Sequence, residues 1–172
     1  MSLAAPDAPD RLCALTRGEH MLLWAFRASA FGAGRCALVR RQFEDTCGTG
    51  GAEAINALLV FVRELALQGR RTVSVCAPGS HRLSRDEQLV LAVFAAAQAE
   101  DYPRMEAHLA WLVGAEPAHV FGAAASLIAD TFALNGLILR APEIASAPEA
   151  WPAPEAKASD VVVPFRPRIA AR

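Results

Sequence analysis

The sequence predicts an all-α protein: a compact bundle of about six helices with one extended connector, residues 71–83, and a disordered C-terminal tail. Three observations predict it. Apolar residues recur at helical spacing through the first 140 residues, divided by capping boxes and glycine stops into pieces with short connections. Only one early segment, Arg71 to Ala77, favours strand, through Thr72, Val73 and Val75. Beyond Arg140 the periodicity vanishes, and six of the 11 prolines fall there. The division that follows is a flexible leader over 1–12, a helical domain over 13–140 and a Pro/Ala-rich tail over 141–172.

Each helix has its own signals. Thr16-Arg-Gly-Glu19 is a capping box, in which hydroxyl and carboxylate each satisfy the other's backbone N–H. The helix it opens runs to about Phe31 and stops at Gly32. Met21, Leu22, Trp24, Ala25, Ala28 and Phe31 form its apolar positions, with Arg17, His20 and Arg27 on the other side. A second helix spans Cys36 to Thr46 and ends in the glycine cluster Gly48–Gly51. That cluster lacks the Lys-Ser/Thr of a P-loop and reads as a helix connection. The third helix begins near Ala52, buries Ile55, Leu58, Leu59 and Val62, and stops at Gly69. After the connector, Ser84-Arg-Asp-Glu87 forms a second capping box for a helix from Arg85 to about Ala99. Asp101 caps a fifth helix with Pro103 in its first turn and Gly114 as its stop. Pro117 opens a sixth, ended by Asn135-Gly136.

The bulk numbers narrow the function classes. Hydrophobic residues make up 53% and charged residues 20%, which suits a packed core. A net charge of -1 gives no general attraction to nucleic acid or anionic lipid. The apolar run Phe121 to Leu139 is interrupted by Asp130 and Asn135, so a buried helix is expected there rather than a membrane span. The N-terminal stretch lacks the basic and apolar regions of a secretion signal, and a cytoplasmic location is expected. Cys13, Cys36, Cys47 and Cys76 then read as free thiols, the first three as small buried residues.

One segment suggests chemistry. Cys76, Gly79 and Arg82 in "VSVCAPGSHRLSRDEQ" match C-x-x-G-x-x-R, the loop in which phosphatases hold a thiolate, a backbone cradle and an anion-clamping arginine. Gly79, Ser80, Arg82 and Arg85 are the anion-binding candidates. Against this reading, Pro78 removes one N–H from the cradle, and the parallel sheet of such enzymes has no counterpart in the sequence. A metal site on Cys76, His81 and Cys47 lacks the close ligand pairs that zinc favours. No cofactor is expected. Asp86 and Glu87, with Glu44, Asp45 and Glu64, balance the nearby arginines, which suggests a solvated charged face.

The pieces "HMLLWAFRASAFG", "VSVCAPGSHRLSRDEQLVLAVFAAAQAED" and "HLAWLVG" resemble a group of small, alanine-rich helical proteins of alphaproteobacteria, over about residues 15–140. The resemblance implies a soluble helical domain and no particular chemistry.

The sequence therefore favours a non-enzymatic interaction or regulatory domain whose partner is another protein or a second copy of itself. Trp24, Trp111 and Phe165 are its candidate anchors. The alternatives are a cysteine-dependent phosphatase or anion-binding enzyme using Cys76 and Arg82, and a metal or small-ligand sensor. The tail segment Val161 to Arg168 docks by strand addition or in a groove, or ends in solvent; the solvated end is favoured.

Overall fold

A computed structural model describes residues 12–140 of the 172, together with the backbone of residues 162–165. The leader before Leu12 and the rest of the tail lie outside the described residues. The Thr16 capping box is present and opens α1, Arg17–Ala30. Then come α2, Ala37–Cys47; α3, Gly51–Gln68; β1, Val73–Cys76; α4, Arg85–Gln98; α5, Tyr102–Val113; α6, His119–Leu134; and β2, Val162–Phe165. Six α-helices thus fill the described residues, as the capping and stop signals predict. Ser84 caps α4 in a second capping box, and Asp101 caps α5 through the N–H of Arg104. Gly114 ends α5 at φ +73°, where a side chain would be strained.

The core is one cluster, built mainly from the helices and joined by Val73 and Val75 of β1. α6 packs on α3 and α4, α4 also packs on α5, and α2 packs on α3. Phe61 sits at its centre, 5.1 Å from Phe94 and 5.4 Å edge-on from Phe121 between ring centroids. Such tilted contacts suit the ring quadrupoles and add to the burial of the rings themselves. α4 is buried on nearly every side from Leu89 to Ala97. Its alanines let neighbouring helices approach closely. No helix of the described residues is long and apolar enough to cross a membrane.

Two sequence expectations change here. Trp24, placed on the apolar face of the first helix, is 40% exposed, whereas Arg27, placed on the outer face, is 4% exposed. Arg27 lies four residues after Leu23, so one turn of helix stacks both on the buried side. The tail also departs from expectation over four residues. Val162–Phe165 take the strand-addition alternative and pair antiparallel with β1.

Candidate functional site

β1 crosses the helical bundle and is fixed along one edge by the N-terminus of α4. The N–H of Ser74 donates to Asp86 Oδ2 at 2.6 Å, and the N–H of Cys76 donates to Glu87 Oε1 at 3.1 Å. The Ser84 hydroxyl donates to the Ser74 carbonyl. Further back, the N–H of Arg70 donates to the Val113 carbonyl at the end of α5. Side chains of the second capping box therefore stand where a neighbouring strand would be. The backbone groups of residues 70, 74 and 76 all point inward to these partners. Those of Val73 and Val75, one residue out of phase, point to the opposite edge.

That opposite edge holds β2. The register pairs Val73 with Phe165, Ser74 with Pro164, Val75 with Val163, and Cys76 with Val162. Since both backbone groups of Ser74 are taken on the α4 side, Pro164 sits at a non-hydrogen-bonded position. Its missing N–H costs the ladder nothing, which is the placement a proline in a strand requires.

Behind β1 lies a buried ion pair. Arg27 Nε donates to Glu87 Oε1 at 2.7 Å, and its Nη2 donates to Oε2 at 3.0 Å. Nη1 donates to the Ser80 carbonyl at 2.8 Å and Nη2 to the Arg82 carbonyl at 2.6 Å. Glu87 also accepts from the N–H of Ser84. Each carboxylate oxygen thus takes two donors, and Arg27 ties α1 to the turn that follows β1. Among the described residues no buried side-chain nitrogen or oxygen is left without a hydrogen-bond partner. The expectation of a solvated charged face is corrected for Asp86 and Glu87, which are buried. The overlooked signal is the paired arithmetic of an arginine on an apolar helix face and a carboxylate in a capping box elsewhere.

The residues of the phosphatase-like match are placed as follows. Cys76 is buried, and its thiol is pushed up to about 11 by burial and by the Glu87 carboxylate, with Arg27 opposing. A thiolate nucleophile needs positive surroundings, and here the Glu87 carboxylate outweighs the Arg27 guanidinium. Gly79 forms the exposed turn at φ +87°. The carbonyl of Ser80 accepts from Arg27, and its hydroxyl accepts from the N–H of Arg82 at 3.2 Å. Arg85, the first residue of α4, turns away to Trp111, with its guanidinium carbon 5.7 Å from the ring centroid. Residues 73–76 are extended, and the N–H of Cys76 is committed to Glu87 rather than to a cradle.

Among the described residues no three His, Cys, Asp or Glu side chains gather in a group that could hold a metal ion. Cys47 is buried at the end of α2, His81 is exposed, and the two do not join Cys76 in such a group. Cys13 and Cys36 are exposed rather than buried.

Trp111 is 61% exposed and lies beneath two guanidinium groups, those of Arg71 and Arg85, both at 5.7 Å. Arg71 also ion-pairs with Asp86 and donates to the Trp111 carbonyl. This aromatic and basic cluster adjoins the start of β1.

The chain matches no family model, no curated protein and no solved structure in comparisons with known proteins.

Proposed function

We propose that this is a cytoplasmic, non-enzymatic interaction domain that binds an extended segment of another protein by strand addition to the outer edge of β1. The observation that carries this reading is the two-sided treatment of β1. One edge is saturated by Ser84, Asp86 and Glu87. The other presents the N–H and C=O groups of Val73 and Val75, and it is the edge that β2 occupies. A strand in a helical protein, closed by side chains on one edge and strand-paired on the other, is the geometry of strand-addition recognition. The chain's own β2 is then a resident occupant that a partner displaces. The buried Arg27–Glu87 pair serves this role by holding the strand and the following turn rigid. Free cysteines suit a reducing compartment.

The test is peptide display against the Val163→Pro chain, in which the proline removes the N–H opposite Val75 and weakens the resident strand. Selected peptides should carry β-branched or aromatic residues and exclude proline at the two positions facing Val73 and Val75. Selection of no peptide, or of peptides that a Val161–Arg168 peptide does not displace, would count against strand addition.

A further inference from the structure

We infer that the β1 edge selects an extended segment that carries acidic residues just after its paired stretch, and that the chain's own tail is a deliberately weak occupant of the same edge. This rests on the strand-addition reading. The antiparallel register sets the direction: a segment on this edge runs past Val73 toward Thr72 and Arg71. At that end the domain gathers cations. Arg70 is exposed, Arg71 stands over Trp111, and Arg85 stands over the same ring. The acids nearby are already engaged. Asp86 is held by Arg71 and the N–H of Ser74. Glu87 is saturated, and Glu64 accepts from Arg63 and Gln68. Arg71 is itself paired with Asp86, so the positive charge offered to carboxylates is that of Arg70 and Arg85, the latter over the exposed indole.

The residues that follow Phe165 in this chain are Arg166, Pro167 and Arg168. A segment with those residues after its paired stretch carries the same sign of charge as the cluster, and like charges disfavour binding. An incoming segment with Asp or Glu at those places has the paired strand and favourable charge together. Discrimination then comes from both attraction to the partner and repulsion of the resident strand.

The experiment uses the full chain and its Val163→Pro variant, titrated calorimetrically with two synthetic peptides. One is residues 160–170 as they stand. The other has Arg166 and Arg168 replaced by Glu. On the variant, the acidic peptide should bind about 5- to 20-fold tighter than the native one at low salt, the scale of two exposed ion pairs. That gap should close in 0.5 M salt (about a 4 Å screening length). The Arg70→Gln,Arg85→Gln double substitution should abolish the preference, weakening the acidic peptide and strengthening the native one. Equal affinities, or a tighter native peptide, would overturn the charge preference while leaving strand addition standing. A tighter native peptide points to exchange between copies. Failure of both peptides to bind the variant would remove the strand-addition reading itself.

Discussion

Glu87 joins α1, β1 and the start of α4 through one carboxylate. Its two oxygens accept from Arg27 twice and from the N–H groups of Cys76 and Ser84. Replacing it with leucine strands a buried guanidinium and two N–H groups. We expect a loss of about 3–5 kcal/mol, read as the urea midpoint. Arg27→Met should cost a similar amount, and the double substitution clearly less than the sum, since neither charge is then left alone. An additive result contradicts the coupling. The same carboxylate sets the behaviour of Cys76, whose folded value lies near 11, above its ordinary value near 9. The folded chain holds this proton more tightly than the unfolded one. The resulting stability is fully present below about pH 9 and is lost as pH rises toward about 11. Thiol titration at pH 8 should find Cys13 and Cys36 reacting promptly, with Cys47 and Cys76 reacting only after denaturation. Prompt reaction of Cys76 contradicts the placement of its sulfur beside a carboxylate.

At the scale of elements, both capping boxes do a second job. In α1, Glu19 accepts from the N–H of Thr16 with one oxygen and from the N–H of Arg140 with the other. In α4, Glu87 does the same for Ser84 and Cys76. Each box caps its own helix and holds an extended crossing of the chain. The crossing over α1 is close: a Cβ on Gly18 would stand 3.2 Å from Leu137 Cβ. Ser84→Ala should therefore cost more than the ~1 kcal/mol of an ordinary cap, and more than Asp101→Ala, since the Ser74 carbonyl also loses its donor. Equal costs in thermal unfolding would reduce Ser84 to a cap alone. The helices were legible in the sequence because their signals are local: Ser84, Asp101 and Gly114 announce boundaries within four residues. The site was much less legible. Arg27 meets Glu87 across 60 positions, and strand pairing joins Val73 to Phe165. Neither spacing has a sequence period, so periodicity placed Arg27 outside and the tail in solvent. The surroundings of Cys76 were hidden for the same reason. Its spacing was visible, while the carboxylate that raises its thiol came from a helix cap.

At the scale of the molecule, the domain's own C-terminal segment returns to the strand that interrupts its helices. Residues 141–161 number 21, which span at most about 75 Å when fully extended. A tether of that length makes pairing within one chain compete at an effective concentration far above micromolar. The chain should thus be a monomer by light scattering at 0.1 mM. A dimer that dissociates on Val163→Pro substitution would instead show strand exchange between copies. The central claim, that β1 offers an outer edge built to receive a strand, is tested most directly by hydrogen exchange at the amides of Val73 and Val75. In the native chain both should be protected. In Val163→Pro they should exchange at least about tenfold faster, while Ser74 and Cys76, held by Asp86 and Glu87, keep their protection. Added strand peptide should restore the slow rates. Rates at Val73 and Val75 that are unchanged between the two chains would contradict the account.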